Sequence, residues 1–262
     1  MAEQLICNQR VVGSTPIISS TNFKRRINNM ITVENIEVFN FENTIIGMRN
    51  PMNSWNKSDS GWKWVEDPSP INPNDPGMQF IVGQNDLELM QKLIHAGSPH
   101  DKFMRQILCS MQITAPLYWW KEMDTYKVAT VANSTSTMHK IHSKPVEVED
   151  FSYDLPIVPD AEDLQRIKQI EKGLNADLEW LRTRYLETKD TIPKDNPYWR
   201  ALIQLLPEAY NQTRMWTANY STLRGIYQWR KNHKQLEWRQ FCDLLMTDAF
   251  PYSKELIAYE LD

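Results

Sequence analysis

Apolar positions in this chain change their period from segment to segment, and the changes divide it into elements. Val33, Ile36, Val38 and Phe39, followed by Ile45 and Ile46, predict a strand running into a helix across residues 31–44. From Asn50 to Gly77, Pro, Asn, Ser, Asp and Gly crowd around Trp55, Trp62 and Trp64, the composition of a long loop able to cover a site. A helix follows, carrying Leu87, Leu89, Met90, Leu93 and Ile94, with Asn85 or Asp86 as its cap and Gly97 and Pro99 at its end. Phe103 to Ile113 reads as a strand, and Ala115-Pro116 opens an aromatic-rich element reaching Trp120. Residues 128–139 pass from β-branched to small hydroxyl side chains, as a strand entering a loop does.

The second half reads as helical. Residues 145–160, with prolines and several acids, suit a linker, after which Leu164, Ile167, Ile170, Leu174, Leu178 and Leu181 recur at helical spacing. The stretch from Asp190 to Pro197 breaks that pattern, and helices are predicted again over Trp199–Leu206 and Tyr210–Leu245. Residues 1–30 are polar, with the basic cluster Lys24-Arg25-Arg26, and read as an N-terminal extension. The rest, 31–262, reads as one domain with a Trp-rich loop at 50–77 and a linker and helical insertion at 145–195.

Composition narrows the function. A net charge of -4 over 262 residues gives no long-range attraction for DNA, so a bound phosphate must meet a local basic pocket. The three cysteines, Cys7, Cys109 and Cys242, show neither a disulfide framework nor a metal-ligand spacing, and no metal site is expected. No apolar run approaches the roughly 20 residues needed to span a bilayer, and no signal-peptide core is seen, so a cytoplasmic protein without membrane contact is expected. Paired aromatics such as Trp119-Trp120 and Trp62-Lys63-Trp64 suit flat ring ligands, subunit interfaces or an ordinary core.

If residues 212–240 form one helix, Asn219 and Arg230, eleven positions apart, share a face about three turns apart, and His233 lies close to the same line. An amide, a guanidinium and an imidazole with Leu223 and Ile226 between them would line a groove for a nucleotide or a flavin. Lys231, Lys234 and Arg239 fit a solvated, charged face equally well.

Leu206-Pro207, Trp216-Thr217, Asn219, Leu223, Arg230, His233, Gln235 and Glu237 occur in the order of the C-terminal signature of flavin-dependent thymidylate synthases, which this segment resembles. A second stretch, from Ala115-Pro116 to His139, is similar to that family's central motif, with Lys121-Glu122 in the Arg-Gln place and Asn133-Ser134-Thr135-Ser136 over its Asn-Glu-x-Ser. The family's Arg-His-Arg is replaced by Thr125-Tyr126-Lys127, its last Arg by Met138, and a helical Arg by Ser221. Three positive charges are thereby lost from a site for a dianion, leaving Lys121, Lys140 or another subunit's arginine to compensate.

The resemblance implies an α+β fold, a mixed α/β nucleotide-binding domain with long C-terminal helices. It implies FAD, with NADPH and methylenetetrahydrofolate as co-substrates, and one-carbon transfer to C5 of a deoxypyrimidine monophosphate, dUMP first. It also implies a homotetramer with shared sites. Arg230 and Ser136 take the catalytic positions. Glu122, Asn133, Ser134, Thr135, Ser136 and Arg230 face substrate, and His100, Tyr126, Lys127, Asn219 and His233 face the flavin. Two alternatives stand beside this. One is a non-catalytic pyrimidine nucleotide-binding protein on the same fold; the other is C5 modification of dCMP, since Glu122 can accept from an exocyclic amine.

Overall fold

The structure, a computed structural model, describes residues 25–27, 31–64, 77–153 and 160–261. Its centre is an antiparallel five-stranded sheet built from β1 (Arg25–Ile27), β2 (Ile31–Phe39), β5 (Leu108–Pro116), β6 (Val131–Ser134) and β7 (Asn211–Asn219), in the order β1-β2-β5-β7-β6. A hairpin of β3 (Gly61–Trp64) and β4 (Met78–Ile81) stands apart, so part of the stretch expected to be loop is strand. Residues 65–76, the remainder of that expected loop, and residues 1–24 and 28–30 of the extension lie outside the described residues.

In β2 the apolar positions switch from Ile31 and Val33 to Ile36 and Val38, odd to even, yet all four are buried. A strand alternates faces with period two, so only an extra residue keeps both pairs inward. The register shift between Glu34 and Glu37 supplies it, with Asn35 at φ 53°. In β5 the alternation is regular: Cys109, Met111, Ile113 and Ala115 enter the core. The other face carries hydroxyls, with Thr114 and Thr213 bonded at 2.7 Å and Ser110 and Thr217 at 3.1 Å across the β5–β7 pair.

Helices cover the apolar face: α1 (Phe41–Arg49), α2 (Gln84–His95), α3 (Leu117–Met123), α7 (Tyr220–Arg230), α8 (Leu236–Leu245) and α9 (Ser253–Leu256). A smaller cluster of Ile141, Phe151, Leu178, Leu181 and Leu202 joins the short α4 (Thr137–Lys140) and the segment after it to α5 (Ala161–Thr188) and α6 (Pro197–Gln204). Helices and antiparallel strands thus combine in the α+β class that was expected. Among the described residues no helix is long and apolar enough to cross a membrane.

Three expected elements are corrected, the first being the strand read over Phe103 to Ile113: its start lies in a 3-10 turn (His100–Arg105) and the strand begins only at Leu108. Residues 211–219 form a strand, not the start of a helix: Trp216 and Ala218 point inward while Thr213 and Thr217 pair with β5 on the opposite face, a period-two pattern favoured by β-branched residues. The helix after Gly83 begins at Gln84, and neither Asn85 nor Asp86 caps it. Its first N–H groups are met instead by Asp59, which accepts from Asn85 N at 3.0 Å and Asp86 N at 3.3 Å. Gly83 is required there because a Cβ would lie 2.2 Å from the Asp59 carboxyl.

Asp86 turns inward. It is 0% exposed and its carboxylate accepts from Arg49 Nε at 2.5 Å, the Ser58 and Ser60 hydroxyls at 2.6 Å each, and the Asp59 and Ser60 N–H groups at 3.2 Å each. This knot fastens residues 58–60 to α1 and α2.

Cys109 and Cys242 are free, buried thiols, each pushed up to about 12 by loss of solvent. A thiol so raised holds almost no thiolate at neutral pH. Both are expected to resist a disulfide reagent in the folded protein and to react once it is denatured; labelling of either in the native state, read by peptide mass, would contradict this burial.

Candidate functional site

The sequence builds the site from two segments far apart in the chain, 116–126 and 230–239. Pro116 ends β5, and α3 then buries Trp119, Trp120 and Met123, which leaves Glu122 on its remaining face. The chain turns at once, with Tyr126 N bonded to Met123 O at 3.0 Å, bringing the Tyr126 ring beside Glu122. From the other direction, Arg230 occupies the last turn of α7, and His233 follows in a tight turn whose N–H reaches Arg230 O at 3.0 Å. Arg239 ties that turn down by donating to His233 O at 2.7 Å and Lys234 O at 3.0 Å.

Arg230 is the hub. Its Nη1 donates to Glu122 Oε2 at 2.7 Å and lies 3.0 Å from His233 Nε2, while Nε donates to Tyr126 Oη at 3.0 Å. Its guanidinium also lies over the Trp238 ring, 4.7 Å from the centroid, a cation–π contact. Trp238 is fully buried against Trp119 and donates from Nε1 to Glu122 Oε2 at 2.9 Å. The side chains of Arg230, His233 and Glu122 keep 19%, 20% and 33% exposure, so the cluster is largely buried but reaches solvent. Both ring nitrogens of His233 face donors, Arg230 Nη1 and Gln235 N at 3.3 Å.

A second group gathers at the end of β6. Asn133 and Ser134 are exposed strand residues opposite Met215 and Arg214, and Thr135 N bonds Thr213 O at 2.9 Å. Ser136 caps α4, and its Oγ lies 2.7 Å from His139 Nδ1. Behind them His142 has a buried Nδ1 without a hydrogen-bond partner, and burial together with Lys189, Lys140 and Arg182 pushes its imidazole below the ordinary value.

A relay joins the two groups. Gln212 Nε2 donates to Thr135 O at 3.0 Å, Arg214 Nε donates to Gln212 Oε1 at 2.9 Å, and Arg214 Nη1 donates to Asp124 Oδ1 at 2.7 Å, two residues beyond Glu122. The Arg214 guanidinium also covers the Trp120 ring at 4.2 Å.

Of the residues expected at the site, the structure brings Glu122, Tyr126, Arg230 and His233 together. Asn219 is not among them. It is 1% exposed, and its Oδ1 accepts from Thr222 N at 2.9 Å as the N-cap of α7, so it and Arg230 stand at opposite ends of that helix, about 16 Å apart. The shared face expected for Asn219, Arg230 and His233 therefore does not exist, because the helix starts only at Tyr220 and ends at Arg230. His100 is exposed in a 3-10 turn (His100–Arg105), and Lys127 is exposed beyond Tyr126. Lys121, one candidate to replace the missing arginines, is paired with Glu208.

Within one chain, then, the five positions expected to meet a flavin do not form a cradle. Tyr126 and His233 are bound to Arg230, Asn219 is a cap, and His100 and Lys127 take no part in the cluster. Trp238, Gln212 and Arg214 were not foreseen. Trp238 stood next to Glu237 in the matched signature, and its place beside a charged run was its one visible signal. Among the described residues no group of three or more His, Cys, Asp or Glu is placed to hold a metal ion.

No protein-family model matches the chain, and no curated protein matches it in sequence. Solved structures do share its fold. One, the flavin-dependent thymidylate synthase ThyX from Helicobacter pylori complexed with FAD and dUMP, is 15% identical with a TM-score of 0.52, covering 83% of this chain and 93% of that one. A second structure of thymidylate synthase X from the same organism, also with FAD and dUMP, is 14% identical with a TM-score of 0.55 and covers 88% and 97% of the two chains. The fold of this chain is the one those structures show.

Proposed function

We propose that this protein binds a pyrimidine deoxynucleoside monophosphate, with Arg230 and Glu122 facing the base and residues 133–137 with Lys140 facing the phosphate. One observation carries the reading: α3, the turn at Tyr126 and the α7–α8 corner converge on a half-buried guanidinium whose Nη2 makes no hydrogen bond among the described residues. A donor held by its neighbours but left with a free nitrogen is arranged to meet a ligand. The shared fold of structures that hold dUMP supports the same ligand class. Hydroxyls and backbone N–H groups at 133–137 suit phosphate oxygens.

Equilibrium titration with pyrimidine and purine deoxynucleoside monophosphates tests this. Saturable binding of a pyrimidine nucleotide is expected, and its absence at millimolar concentration would overturn the proposal.

A second reading keeps the full reaction: transfer of a one-carbon unit from methylenetetrahydrofolate to C5 of the base, with FAD reduced by NADPH. The FAD in both fold neighbours favours it. The flavin positions of this chain do not converge within one copy, so a flavin cradle would have to be closed by other copies of a shared-site assembly. The visible spectrum separates the two. Protein supplied with FAD and then gel-filtered is expected to emerge colourless with nucleotide binding intact; retained flavin that NADPH bleaches would establish the transfer reading in its place.

A further inference from the structure

We infer that the site selects a pyrimidine with an amino group at C4, cytosine over uracil, and that Glu122 is the residue that reads it. The inference rests on the nucleotide-binding proposal above. Glu122 Oε2 accepts from both Arg230 Nη1 at 2.7 Å and Trp238 Nε1 at 2.9 Å, which fixes the carboxylate through one oxygen. No hydrogen bond among the described residues reaches Oε1, and the side chain is 33% exposed. A carboxylate oxygen only accepts.

Arg230 is held in the same way. Tyr126 binds its Nε and Glu122 its Nη1, and Nη2 remains as a donor without a partner. The cluster therefore holds a guanidinium donor and a carboxylate acceptor that are bonded to each other and keep one unbonded atom each. On the turn that carries His233, the buried Gln235 Oε1 is a further acceptor with no partner.

The pairing edges of the two bases read this pair in opposite senses. Cytosine offers an accepting N3 beside a donating N4 amine, which matches a donor beside an acceptor. Uracil offers a donating N3–H beside an accepting O4. Against the same side chains its N3–H meets a guanidinium and its O4 meets a carboxylate, so two polar groups lose water and gain no partner. An amide in place of Glu122 could turn either end to the base and would not discriminate in this way.

Titration calorimetry of the full chain with dCMP and with dUMP, at one salt concentration, tests the inference. The wild type is expected to hold dCMP about 10- to 100-fold more tightly than dUMP. Glu122→Gln is expected to narrow or reverse that ratio while circular dichroism shows the fold kept. Should the variant fail to fold, the wild-type ratio decides alone. Equal affinities, or tighter binding of dUMP, would overturn the base assignment and leave the nucleotide-binding proposal standing. Binding of neither nucleotide would overturn that proposal and this inference with it.

Discussion

Asp86→Ala is expected to destabilise the fold by about 3–5 kcal/mol, the range for removing one partner of a buried ion pair. Its carboxylate is fully buried beside Arg49, itself 4% exposed, and takes five hydrogen bonds. Alanine would leave a buried guanidinium without its counter-charge and two serine hydroxyls and two N–H groups without an acceptor. Urea denaturation should show the loss as a lower midpoint at unchanged slope. Replacing both partners, Arg49→Met with Asp86→Leu, should recover only the share of that loss due to the unpaired guanidinium, because Ser58, Ser60 and the two N–H groups still lack an acceptor. A single-site loss below about 1 kcal/mol would mean that water reaches this carboxylate.

The same residue sets an acid limit. Burial alone would raise the Asp86 carboxyl, but the bonds from Ser58, Ser60 and Arg49 and the guanidinium charge outweigh it and hold the group below its ordinary value. A carboxyl lowered on folding contributes stability that is fully present above its unfolded pKa and is lost as pH falls through the folded one. Stability of the wild type should therefore drop below about pH 4, and that slope should flatten in the double replacement.

Arg230→Ala is expected to weaken pyrimidine nucleotide binding by about 10- to 100-fold, the cost of a charge-assisted hydrogen bond to the base. Arg230→Lys should recover little. Lysine has one nitrogen and no fork, so it cannot hold Glu122 and Tyr126 while donating to a ligand. Calorimetric titration gives the affinities, and thermal denaturation of the free proteins shows whether the fold is kept. The pair with Glu122 is partly solvated, but Arg230 also bonds Tyr126 and covers Trp238, so the variant should cost the fold about 1–3 kcal/mol. Unchanged nucleotide affinity in Arg230→Ala would place the ligand elsewhere.

Much of the architecture was readable locally. The strand into helix at 31–49, the helix carrying Met90 and Ile94, and the long helix around Leu178 and Leu181 all carry their period within one window of residues. Of the candidate site, Arg230 and His233 were legible as neighbours because three positions separate them, although the reading put them on one helix and the structure joins them by a turn. Residues 211–219 were not legible as a strand. Gln212 and Arg214 mask the alternation of Trp216 and Ala218, and the segment runs straight into a true helix. Only pairing with β5 and β6, both far earlier in the chain, makes the extended form the stable one.

By itself the sequence determined the helix-rich second half, the charged and aromatic residues available to a site, and the order of the motif residues along the chain. Those properties depend on each residue's nature and its near neighbours. The tertiary structure decided which acid meets which arginine: Asp86 with Arg49, Asp124 with Arg214, Glu122 with Arg230. Partners 37, 90 and 108 positions apart leave no periodic trace. Their meeting is settled by how the strands register and the helices pack, and the last of those pairings holds Arg230 and Glu122 side by side.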